Sequence, residues 1–136
     1  MKTLKTVVFF FFVSLFLFSG LNSSIAASKK DEVKTKVYYF HNTRRCPTCL
    51  AIEKETKKVL KEQPFSDAKE NGELVFKSYN AENAVNKKLV EELGVTGSAL
   101  IVIKGDEKID LTSKGFMYAL KQPEKLREAL RNALNE

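Results

Sequence analysis

A chain of 136 residues with 43% apolar composition can build one domain with a real core and leaves little room for a second. Its formal net charge of +6 arises from 23 basic and 17 acidic residues mixed along the chain, as in KKDEVK and EKETKKVLKE. That pattern fits solvated faces, not a stripe laid along phosphates, and nucleic-acid binding is not expected.

The N-terminus, MKTLKTVVFFFFVSLFLFSG, sets Lys2 and Lys5 before an apolar run from Val7 to Phe18, and SSIAAS follows with small residues. This is the three-part layout of a secretory signal peptide over residues 1–26, with cleavage predicted after Ala26. The mature chain is expected to be exported, to the periplasm or outside the cell. Ser14, Ser19 and Gly20 interrupt a run already shorter than the roughly 20 residues of a spanning helix, so no permanent membrane anchor is expected. Residues 27–34 read as a flexible lead-in to a single domain over 35–136.

TKVYYFHN, residues 35–42, is a β-rich run that stops just before the two cysteines. From Pro47, Leu50, Ile52, Thr56, Val59 and Leu60 recur at near-helical spacing, which predicts a helix over 47–62 that breaks before Pro64. Residues 65–72 are a short turn or helix remnant ending at Asn71-Gly72, and 73–80 form a second strand. AENAVNKKLVEELG predicts a helix with Val85, Leu89, Val90 and Leu93 on one side and Gly94 as its C-terminal cap. Strands over 99–104 and 107–111 join through Gly105-Asp106. Phe116, Met117 and Tyr118 follow, and packing against the last helix suits them better than rimming a partner groove. That helix starts at Pro123 and buries Leu126, Leu130 and Leu134. The order is βαβαββα, an α/β domain with a four-stranded mixed sheet flanked by helices.

The chain's two cysteines, Cys46 and Cys49, lie in RRCPTC between the first strand and the first helix. A helix N-terminus presents unpaired N–H groups and the positive end of its dipole, which favour thiolate over thiol. Cys46 is therefore predicted to attack, with its pKa depressed, and Cys49, one turn in and more buried, to resolve the mixed disulfide. A purely structural disulfide would close a four-residue ring worth only about 2 kcal/mol by loop entropy. A zinc site is short of ligands, because His41 is the only histidine and no second C-x-x-C exists. No metal or cofactor beyond the redox-active disulfide is expected. Arg44 and Arg45 are candidates for electrostatic support of the thiolate, His41 for charge or proton transfer, and Glu53 for taking the proton of Cys49. Tyr38, Tyr39 and Phe40 alternate between strand faces and read as sheet packing.

The order of elements, with C-x-x-C after the first strand, resembles the thioredoxin fold over nearly all of residues 33–134. More narrowly, YYFHNTRRCPTCLAIE, YNAEN and GVTGSALIVI resemble a group of small exported bacterial proteins labelled nitrophenyl-compound nitroreductase subunit, ArsF-like. That likeness rests on Tyr39, Phe40, His41, Arg45, Cys46, Cys49 and Glu53. The sequence has no nucleotide-binding fingerprint to go with the nitroreductase label. Departures from ordinary thioredoxins are specific. Arg45 stands where they carry Trp before the first cysteine, and their buried acid would fall near Phe40. Ala99 occupies their cis-proline position, so a trans Ser98-Ala99 bond is expected, since a non-proline cis bond costs about 2.5–4 kcal/mol. Pro47, Thr48, Ser98 and Ala99 are expected to wall the site.

The resemblance implies a monomeric thiol-disulfide oxidoreductase acting on thiol or disulfide proteins, with a separate redox partner for regeneration. Two alternatives stay open: a dithiol module binding a soft metal or metalloid, and an electron-delivery subunit of a larger reductase.

Overall fold

The computed structural model describes residues 33–136. The predicted signal peptide over 1–26 lies outside the described residues. No helix among the described residues is long and apolar enough to cross a membrane.

Strand β1 (Thr35–His41) leads into helix α1 (Pro47–Val59), a short helix α2 (Phe65–Glu70) and strand β2 (Leu74–Asn80). A 3-10 turn (Ala84–Asn86) precedes helix α3 (Lys87–Glu92); strands β3 (Ala99–Lys104) and β4 (Glu107–Asp110) follow, then helices α4 (Thr112–Tyr118) and α5 (Pro123–Asn135). The sheet runs in the order β2-β1-β3-β4. β1 is parallel to β2 and antiparallel to β3, and β4 is antiparallel to β3. A tight turn at Gly105 joins the last two strands, with φ at +56°, a conformation that glycine adopts without steric cost.

Alternation along β1 and β3 sends side chains to opposite faces. Val37, Tyr39, Leu100 and Val102 pack with Ile52, Val59, Leu126 and Leu130 beneath α1 and α5. Phe40, Ala99 and Ile101 form the second cluster with Val95, against Leu89, Val90 and Leu93 of α3 and the residue after it. Both faces of the sheet are thus covered by helices, and the βαβαββα core with its mixed four-stranded sheet is thioredoxin-like.

Three elements depart from the sequence reading. The predicted helix from residue 81 begins only at Lys87, and Val85, assigned to its inner side, is 87% exposed. Asparagine side chains take the backbone groups that a helix would need: Asn83 Oδ1 accepts from Val85 N–H at 3.0 Å, and Asn86 Nδ2 donates to the Asn80 carbonyl at 2.9 Å. Helix α1 ends at Val59, not at 62, because Lys61 and Glu62 bond three residues back to Lys58 and Val59 and tighten the last turn. Helix α4 was not expected at all, and it leaves Phe116 and Met117 exposed at 44% and 63%, so neither joins the core. Only Tyr118 of that trio packs against the core.

Gly115 explains why α4 sits where it does. A Cβ built there would lie 3.1 Å and 3.2 Å from Ile52 Cδ1 and Cγ1 of α1, and Ile52 is itself fully packed. An exposed helical Gly→Ala exchange gains about 1 kcal/mol. Gly115→Ala is expected instead to lose about 1 kcal/mol through overpacking, and urea unfolding of the variant measures the sign.

Candidate active site

The loop between β1 and α1 is tied to the end of β2 before it reaches the cysteines. Thr43 N–H donates to Glu82 Oε2 at 3.0 Å, and Asn80 Nδ2 donates to Thr43 Oγ1 at 2.9 Å. Cys46 then caps α1 with extended backbone angles, φ −79° and ψ 162°, and its Sγ accepts the Cys49 N–H at 3.2 Å. The helix's orphan donor thus points at the first sulfur, as its place before Pro47 predicts. Cys46 is exposed and Cys49 is buried at 6% exposure, both as free thiols. Pro47 is exposed at the first helical position, and Thr48 is half-buried beside it.

Two contacts hold Cys49. Its Sγ lies 3.8 Å from Ser98 Oγ, which puts the predicted wall residue against the second sulfur. Its carbonyl accepts the Tyr39 hydroxyl at 2.7 Å. Burial alone would push the Cys49 thiol up, but interactions with Cys46, Ser98 and Tyr39 outweigh it and hold the thiol below its ordinary value. The sequence reading assigned the depressed thiol to Cys46. The lowering at Cys49 runs through its hydrogen bonds with Cys46, and adjacent sulfurs that share hydrogen bonds ionise as a pair. Ala99 is buried opposite Phe40 in the β1–β3 register, and the bond before it is trans.

Arg45 does not stand as a free cation beside the first thiol. Its guanidinium bonds Glu53 of α1 and lies 5.6 Å from the Tyr39 ring centroid. Glu53 also pairs with Lys57 at 2.6 Å. Burial pushes the Glu53 carboxyl up, yet hydrogen bonds from Lys57 and Arg45 hold it below the usual carboxylate value. Glu53 is thus engaged by two cations and makes no hydrogen bond to Cys49 among the described residues. Arg44 is exposed and makes no ion pair among the described residues, so an effect on the thiolate has no contact behind it. His41 is half-buried, with Nδ1 3.0 Å from the Asn42 carbonyl oxygen and its ring tilted against Tyr39. It makes no hydrogen bond to either sulfur among the described residues.

Tyr39 is the site residue that sequence reasoning missed. It is fully buried on the α1 side of the sheet, where it carries the Arg45 guanidinium and holds the Cys49 carbonyl. Burial pushes its own hydroxyl up to about 12, against the opposing pull of Arg45. A buried tyrosine needs a partner for its O–H, which was the available signal. Phe40 points to the other face and stacks on Tyr79 with centroids 5.5 Å apart, so the place of the missing acid is apolar.

Fold and site together define a thioredoxin-like α/β domain with an accessible and a shielded thiol where its first strand meets its first helix. Among solved structures the chain is similar to the crystal structure of thioredoxin from Trypanosoma brucei brucei, at 21% identity and a TM-score of 0.45, covering 78% of this chain and 80% of that one. No protein-family model and no curated protein sequence matches the chain. These comparisons give no support to the narrower nitroreductase-subunit resemblance.

Proposed function

We propose that the protein is an exported, monomeric thiol-disulfide oxidoreductase that exchanges disulfides with protein substrates through Cys46. The observation that carries the reading is the Cys49 N–H on Cys46 Sγ, with Cys46 exposed and Cys49 shielded behind it. In the reducing direction the Cys46 thiolate attacks one sulfur of a substrate disulfide, and the other substrate sulfur leaves as a thiolate that takes up a proton. Cys49 then gives up its proton and displaces the substrate from Cys46. The protein ends as the disulfide, two electrons poorer, and the substrate as two thiols. A separate dithiol partner returns the electrons; the oxidising direction is the same sequence reversed. Ser98 Oγ beside Cys49 gives the departing proton a hydroxyl to pass through. Export is supported by the charged, apolar and small-residue segments that open the sequence.

Alkylation of the reduced protein near pH 6, followed by peptide mapping, tests the division of labour. Cys46 is expected to be labelled at least about tenfold faster than Cys49, because reactivity needs both thiolate character and access. Equal rates would remove the assignment of an attacking and a resolving sulfur.

A further inference from the structure

Counting from Cys46, the residues four, eight, eleven and fifteen places on are Leu50, Lys54, Lys57 and Lys61, and this spacing keeps them on one side of α1 and the turn after it. All four are exposed, and with Glu53 and Lys58 they line an open groove of about 450 Å³. The groove's one carboxylate, Glu53, is already engaged by Arg45 and Lys57, and Lys58 pairs with Glu55 at 2.8 Å. Lys54 and Lys61 form no ion pair among the described residues. Helical side chains lean toward the helix N-terminus, so these ammonium groups lean toward the Cys46 end, where the dipole is also positive.

We propose that this groove docks an extended, acidic segment of the substrate protein adjoining its reactive cysteine. The inference rests on the dithiol reading and adds a substrate class to it. The groove opens at Leu50, about one turn from Cys46, and reaches Lys61; from Cys46 to its far end is roughly 22 Å at 1.5 Å per residue, which about six or seven residues of extended chain would span. A small disulfide molecule would occupy only the end nearest the sulfur. Leu50 is 52% exposed directly after Cys49 and offers an apolar contact to the residue nearest the substrate sulfur. Carboxylates further along meet Lys54, Lys57 and Lys61. The groove thus selects by charge along a chain, while the exchange step remains that of Cys46 and Cys49.

The test uses the reduced protein and disulfide-linked eight-residue peptides in which the residues flanking cysteine, on one side or the other, are Glu, Gln or Lys. Bis(2-hydroxyethyl) disulfide serves as an uncharged control and oxidised glutathione as a small acidic one. The Glu peptide is expected to react about tenfold faster than the Gln peptide at low salt, with the gain falling as ionic strength rises. In Lys54→Glu/Lys61→Glu that ratio should fall to one or below, and reading a ratio cancels any change in sulfur reactivity. Equal Glu and Gln rates on both sides of the cysteine, or a preference that survives charge reversal, would overturn the proposal. An equal gain with oxidised glutathione would show local charge recognition, not segment docking, and would also overturn it. Failure with every disulfide, the uncharged control included, would instead sink the dithiol reading, and the docking role with it.

Discussion

Expressed from the full sequence, the Cys49→Ser variant is expected to accumulate dithiothreitol-sensitive adducts, at least about tenfold above those trapped by Cys46→Ser. The asymmetry follows from the geometry. Cys49→Ser keeps the backbone N–H that donates to Cys46 Sγ, so the attacking thiolate retains its helix-terminal donor. It also keeps the Tyr39 bond to the residue's carbonyl, which holds the first turn in place. What it loses is the sulfur that breaks the mixed disulfide, and a hydroxyl cannot replace a thiolate in that displacement. Cys46→Ser leaves only a sulfur that is 6% exposed, too shielded to meet an incoming protein disulfide. Gel shifts before and after reduction, with mass spectrometry of the released partners, measure the result. Adducts to many proteins would mark a general oxidoreductase. One dominant adduct to a membrane redox protein would favour the electron-delivery reading of the nitroreductase-subunit label. Metal-replete protein that holds a soft metal and traps nothing would turn the assignment toward a dithiol binding module.

The strands and the long helices were legible because their apolar periods are clean. Leu126, Leu130 and Leu134 repeat every four residues and lie buried in α5 as expected, and residues 99–104 form β3 from end to end. The order of elements placed the cysteines at a strand–helix junction, which is why the cap geometry of Cys46 could be foreseen. Four features could not be read this way. Gly115 looks like a helix breaker in the sequence, and only the close approach to Ile52 shows that α4 needs it. Val85 fits a helical apolar stripe, but Asn83 and Asn86 capture the backbone and turn it outward. The partners of Arg45 and Glu53 depend on where β1 sets Tyr39, a contact across 6 residues from the arginine that no local pattern encodes. The same applies to Glu55, buried at 5% exposure between Lys58 and Arg127, which joins α1 to α5.

Glu53→Gln should lower stability by about 2 kcal/mol at pH 7, the scale of a charge-assisted hydrogen bond lost from a mostly shielded pair. The Glu53 and Arg45 side chains are only 12% and 24% exposed, and Arg45 Nε is already buried without a partner. Glutamine keeps an acceptor oxygen but removes the negative charge, so the guanidinium loses its counter-ion and the charge-assisted part of the bond, and keeps the Tyr39 ring beside it. The dependence on pH identifies the cause. Burial pushes the Glu53 carboxyl up and the bonds from Lys57 and Arg45 more than reverse it, so its folded pKa lies below the unfolded one. Such a group contributes its full stabilisation above the unfolded value of about 4.3 and loses it as pH falls through the folded value. The gap between wild type and Glu53→Gln should therefore close in acid, while Glu55, held low by Lys58 and Arg127 against its burial, and Glu62, held low by Arg131, are common to both proteins and cancel. Urea unfolding of the two proteins at pH 7 and at pH 3 measures it. A gap unchanged between the two pH values would assign the loss to packing, and no gap at pH 7 would show the pair to be idle. Because Arg45 directly precedes Cys46, a released clamp should also loosen the cap that fixes the attacking sulfur. Hydrogen exchange at the Cys49 amide, the donor to that sulfur, should then quicken in Glu53→Gln at neutral pH and match wild type once both are acidified.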